Sequence, residues 1–244
     1  MNTNKMRAIQ QITIREKAAR LLTSRFFILE VIILSSFLMW WQGGAGFLIG
    51  LGLALVTFWA VQWDWSFFGL SNVSWKSTIA PAIGYTMIIF LLNDFIIEPL
   101  TTIYTNQTPD LSNFDGMRGN VANLWLMLVI IWTIAAFGEE FFYRGYFMKQ
   151  IAILFGNNKS GWIIGVILSS IMFGLVHAYQ GNAGMISTGL VGLILAIAFY
   201  HNRQNLLVCM LAHGLIDTIG ILMIYYGTEK IVIDYMINLY QTIL

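Results

Sequence analysis

Long apolar runs broken by a few charges, rather than an alternation of apolar and polar positions, dominate this 244-residue chain. A bilayer hydrocarbon core about 30 Å thick takes roughly 20 helical residues to cross. Seven runs of about that size predict membrane helices over 24–42, 44–63, 78–97, 121–138, 162–178, 183–200 and 206–226, the first interrupted by Glu30. The tail 228–244 reads as an amphipathic surface helix or an eighth short membrane segment. Pro99, Pro109, Gly116 and Gly119 mark 98–120 as a polar external loop. With no internal repeat and no linker-like stretch, 26–244 is expected to be one domain preceded by a basic leader, 1–25. The fold class is all-α, a polytopic transmembrane bundle of about seven to eight helices.

Composition excludes the main alternatives. Only 10% of residues are charged and 58% are hydrophobic, whereas soluble domains carry about 25% charged residues. Seventeen Phe, ten Tyr and nine Trp beside three Pro exclude a disordered chain. A net charge of +1 gives no bulk field for nucleic acid, and the single Cys209 excludes an intrachain disulfide or cysteine-rich zinc site.

Local charge is more informative than its sum. Placing the N-terminus in the cytoplasm puts eleven of thirteen Lys and Arg inside, six of them in the leader, with Arg118 and Lys230 outside. Trp40, Trp41 and Trp125 then fall at the outer interface, and Trp63, Trp65, Trp75 and Trp162 at the inner one. The expected location is the cell membrane. The leader alternates its charges with Ile9, Ile12, Ile14, Leu21 and Leu22, which suits a helix on the anionic cytoplasmic leaflet and serves first as a topology anchor.

Ionisable groups within a membrane cost about 2.5–3.5 kcal/mol each and are functional candidates by default. They cluster on three helices: Gly138-Glu139-Glu140-Phe141-Phe142-Tyr143-Arg144, Phe173-Gly-Leu-Val-His177 and His213-Gly-Leu-Ile-Asp217. Glu140 and Arg144, four apart with the acid first, are placed to pair on one helix face. Glu139 points about 100° away, which leaves it the better general base. Asp217 can fix the tautomer of His213, and Phe173 can pack on His177. Glu139 lies ten residues from Lys149, and His213 ten from Arg203, or about 15 Å into the membrane in each case. His177 matches Glu139 by symmetry about Asn158. The polar turn Tyr179-Gln180-Gly181-Asn182 must then face protein or water rather than lipid.

This ordered set resembles the CPBP family of intramembrane proteases, which includes type II CAAX prenyl endopeptidases and bacteriocin-processing or immunity homologues. The resemblance covers roughly 121–226, the protease-like core. It implies that Glu139 and His177 activate a water for attack on a peptide carbonyl, that His213 and residue 217 stabilise the oxyanion, and that Glu140 and Arg144 support the site. Many members carry Asn where this chain has Asp217, and an ionised carboxylate cannot donate to an oxyanion. Asp217 is therefore either protonated or an orienting partner of His213. Family usage also implies a metalloprotease, with Glu139, His177 and His213 as a zinc triad. A divalent metal such as zinc and a metal-free glutamate mechanism both stay open.

The remaining groups have simpler readings. His201 is interfacial, Asp94 and Glu98 are rim or packing residues, and Ser169 and Ser170 are packing hydroxyls. Gly46-x-x-x-Gly50 and Gly161-x-x-x-Gly165 permit close helix approach. The function expected is an endopeptidase acting on a membrane-associated peptide or protein, in a cavity opened toward the cytoplasm. The alternatives are a non-catalytic scaffold or immunity protein of the same fold, and a proton-linked carrier. Expected partners are the peptide or membrane-protein substrate and the lipid bilayer; oligomeric state is not legible.

Overall fold

Without water to satisfy them, backbone N–H and C=O groups in lipid must be bonded within their own segment, and this chain answers with helices. The computed structural model describes residues 14–42, 44–70 and 74–243. In chain order come α1 (Arg25–Gln42), α2 (Gly44–Ala60), α3 (Trp75–Thr105), α4 (Val121–Leu154), α5 (Lys159–Val176), α6 (Gly181–His201), α7 (Leu206–Tyr226) and α8 (Ile231–Ile243). No strand occurs among the described residues. Helices α3 to α7 supply five spans long and apolar enough to cross a bilayer. Helix α2 is shorter, and α1 exposes Glu30. The structure thus supports five spans of full length rather than establishing the seven to eight expected. Of the leader, residues 1–13 lie outside the described residues; 14–22 are helical, and Arg15 reaches back over the Trp59 ring of α2 at 5.2 Å.

Two helices run well beyond their expected ends. Helix α4 continues past Gly138 for a total of 34 residues, because Phe141 to Met148 are all buried and form core rather than interface. Its backbone widens into π-helical turns over Ile131–Glu139 and Phe141–Met148. Helix α3 carries a similar turn at Asn93–Ile97. Such turns concentrate at functional sites. The tail forms α8, whose 13 residues span about 20 Å, too little to cross a bilayer. It packs along α3, where the Tyr240 hydroxyl donates to the Phe95 carbonyl at 2.9 Å.

The main core is aromatic. Phe68 stacks on Phe141 at 4.2 Å, Phe58 meets both, and Tyr143 meets Phe173 edge-on at 5.1 Å. Trp162, near the start of α5, lies buried between α5 and α6 against Phe199 and Tyr200. Side chains at 40 and 41 lie outside what is described. The glycine pairs do permit close approach. A Cβ at Gly165 would stand 2.8 Å from the Met148 carbonyl oxygen, and one at Gly50 would strike the Phe142 ring.

The bundle has two distinct ends. At the basic end, the Leu206 amide donates to the Gly69 carbonyl at 2.9 Å, Asn205 Nδ2 to Thr78 Oγ1 at 3.1 Å, and the Lys149 ammonium to the Phe67 carbonyl. At the other end, the Asp110 amide donates to the Gln180 carbonyl at 2.9 Å and the Gly119 amide to the Tyr225 carbonyl at 3.1 Å. There Arg118 pairs with Glu229 at 2.6 Å and holds its carboxyl below the usual carboxylate range. Arg144 belongs to neither end: it is fully buried in α4 and does not count toward orientation.

Replacing Gly165 with Val should lower thermal stability in detergent by about 1–3 kcal/mol, since the Met148 backbone cannot move aside. Gly84→Ala in α3, where a Cβ meets nothing within 4 Å, should leave it unchanged or slightly raised.

Candidate active site

The π-helical stretch of α4 delivers the first two acids. Glu140 is fully buried, and its Oε1 accepts from Arg144 Nη1 at 2.7 Å and from His213 Nδ1 at 2.8 Å. One carboxylate oxygen therefore joins α4 to α7, a link that spacing along the chain does not reveal. Arg144 Nη2 donates to the Gly192 carbonyl of α6 at 2.8 Å. Gly192 matters because a Cβ there would run into the Phe173 ring. The same ring lies 4.5 Å from the guanidinium and 5.8 Å from His213, so the cation is covered by a π face as well as by a carboxylate.

His213 sits between two acids. Its Nε2 stands 3.4 Å from Asp217 Oδ2, one helical turn further along α7. Both ring nitrogens thus face carboxylate oxygens. Asp217 is one-third exposed, whereas Glu140 is sealed.

His177 ends α5. Its Nδ1 donates to the Phe173 carbonyl at 2.7 Å, the carbonyl being an acceptor only, which leaves Nε2 with its lone pair. Phe173 packs on the ring at 5.0 Å, as the four-residue spacing indicates. Helix α5 stops here because the chain turns at once through Ala178–Gln180 into α6.

Glu139 differs from its neighbour. Its Oε2 is inaccessible to solvent yet has no hydrogen-bond partner. It lines a cavity of about 520 Å³ together with His177, His213 and Asp217, so acid and imidazoles from three helices share one space. Tyr179 and Gln180 line it too, as the polar turn requires if it is to avoid lipid. Glu140 and Arg144 lie behind this wall and do not reach the cavity.

Asp94 and Glu98, read as rim or packing residues, line the cavity with Asn93, and Asp94 is only 8% exposed. Two acids one turn apart in an apolar helix were the signal that could have marked them. The cavity also takes Thr108, Pro109 and Leu111 from the polar loop, with Glu229 and Lys230 after α7. It therefore lies toward the end of the bundle opposite the basic turns. A cytoplasmic basic end and a cavity opening to the cytoplasm exclude each other in this structure.

Residues 121–219, about two-fifths of the chain, match a family model described as type II CAAX prenyl endopeptidase Rce1-like. Over this stretch the chain is similar to that family. The match contains the Glu-Glu-x-x-x-Arg, Phe-x-x-x-His and His-x-x-x-Asp motifs, and with them Glu139, His177, His213 and Asp217 around the cavity. An uncharacterized protein from Mycoplasma capricolum subsp. capricolum is 24% identical over 158 residues, which cover 61% of this chain and 45% of that protein. The chain thus spans less than half the length of that relative. No solved structure matches. With five apolar spans, the similarity marks a multi-pass membrane protein whose core resembles type II CAAX prenyl endopeptidases.

Arg144→Met would leave Glu140 without its cation in a fully buried site, and should cost about 3–5 kcal/mol in thermal unfolding. The double variant Glu140→Gln with Arg144→Met should recover part of that loss. Thr108→Cys and Lys159→Cys should react with a membrane-impermeant maleimide from opposite faces of a vesicle, with buried Cys209 silent.

Proposed function

We propose that this protein is an intramembrane endopeptidase that cleaves a membrane-associated peptide or protein by a water activated at Glu139. One observation carries the reading: an unpartnered buried carboxylate shares a cavity with two imidazoles from separate helices, inside the Rce1-like core.

Glu139 takes a proton from the attacking water as oxygen bonds to the substrate carbonyl carbon. His177 Nε2, held in place by the Nδ1–H bond to the Phe173 carbonyl, accepts the water's other hydrogen and fixes its direction. The carbonyl π electrons move onto oxygen, and His213 Nε2–H turns to that oxyanion. Its 3.4 Å separation from Asp217 is long for a hydrogen bond, so little is lost when the N–H turns away. Collapse of the tetrahedral species expels the amine, which receives the proton from Glu139. Asp217 and Glu140 are positioning residues here: facing both ring nitrogens, they orient the imidazole and balance its charge. Arg144 in turn holds Glu140.

The steps above run on the chain's own groups. Glu139, His177 and His213 would be the residues to hold a zinc ion, since an Nδ1–H bonded to Glu140 leaves His213 Nε2 its lone pair, and the ion would polarise the carbonyl. A strong chelator should leave cleavage intact; its abolition, with recovery on adding zinc, would favour the metal reading.

In proteoliposomes, Glu139→Gln should lower the cleavage rate by roughly 10²–10⁴ without shifting the thermal midpoint. Undiminished proteolysis by that variant removes the mechanism. Should Glu139→Gln and His213→Ala both complement a deletion strain fully, the protein acts by binding. Flux driven by a pH gradient would instead identify a carrier.

A further inference from the structure

The cavity has a second polar wall that the hydrolysis does not use. It is made by the π-helical turn Asn93–Ile97 of α3 and by Glu98 just after it, with Lys230 and Asp234 on the facing side. Asn93 Nδ2 donates to Asp94 Oδ1 at 3.1 Å and to Glu98 Oε2 at 3.3 Å, holding two carboxylates side by side. Lys230 exerts its field on Glu98, but Asp94, 92% buried, has no ion-pair partner among the described residues. Two like charges one turn apart destabilise a helix, and each also carries the cost of immersion in a membrane. The rest of the space does not compensate. Asp94, Glu98, Glu139 and Asp234 face it against Lys230, while Asp217 is opposite His213 and Glu229 is taken by Arg118.

We propose that Asn93, Asp94 and Glu98 form a subsite for a cationic side chain of the substrate, a Lys or Arg close in sequence to the bond that is cut. This rests on the reading of the cavity as the substrate site. A substrate cation supplies the positive charge that the α3 pair lacks, and acids that are costly in the empty cavity become favourable in the complex. The amide of Asn93 directs its N–H groups into the pair, which leaves carboxylate oxygens for N–H donors and disfavours a metal ion between them. An apolar residue placed against this wall would strip water from the carboxylates without replacing its bonds.

The test separates binding from catalysis. Full-length protein carrying Glu139→Gln, in a zwitterionic detergent, is titrated against two fluorescent apolar peptides that differ only in one central Lys or Gln. Anisotropy should show the Lys peptide bound at least roughly tenfold more tightly. Adding Asp94→Asn and Glu98→Gln should erase the preference, and Lys230→Gln alone should increase it. If the double replacement does not yield folded protein, Glu98→Gln alone, at a partly exposed position, should at least halve the preference. Equal affinity for the two peptides, or a preference that survives these replacements, overturns the subsite. A preference that holds in a protein whose wild-type form cleaves neither peptide supports the subsite and discards the hydrolase.

Discussion

The position of everything else in this bundle follows from one buried charge cluster. Arg144, Glu140 and His213 are almost entirely removed from solvent, and each owes its place to the next. In a low-dielectric interior, losing one partner exposes the full desolvation cost of the others, so the cluster tolerates few alternative arrangements. Since its members come from α4 and α7, and its last hydrogen bond ends on the α6 backbone, it fixes three helices at a common level. Glu139, next in sequence to the anchored acid, is thereby aimed at the cavity without a bond of its own.

That cluster is possible because small and aromatic residues prepare its surroundings. Gly192 lets the α6 backbone come near enough to receive the guanidinium, and the Phe173 ring occupies the space a side chain there would need. Phe173 acts three times, covering Arg144, flanking both histidines and offering its carbonyl to His177. The wide turns of α4 belong to the same design. They place a run of bulky aromatics and two acids in one continuous helix, where a narrower winding would distribute those side chains differently around the axis.

Much of this was legible in the chain itself, for physical reasons. Hydropathy marks where lipid-facing helices run, and a four-residue spacing in a helix is a contact rule, so Glu140 with Arg144 and Phe173 with His177 could be paired on paper. Depth counting put Glu139, His177 and His213 at one level, and the three do line one cavity. What it could not supply is lateral position. The bond from Glu140 to His213 crosses 73 residues, and nothing along a single helix reports which neighbour it meets. For the same reason Arg144 was counted among the interfacial cations, although it lies fully buried in α4. Hydropathy likewise ended α4 at its charged motif, because it cannot tell a charge neutralised in the core from one that marks the water boundary.

The packed rings of Phe58, Phe68 and Phe141 fill the basic half of the bundle, while the cavity occupies the half beyond Glu139. The two halves therefore divide the labour: packed rings make one half of the bundle solid, and the polar groups of α4, α5 and α7 are left to line the open space in the other.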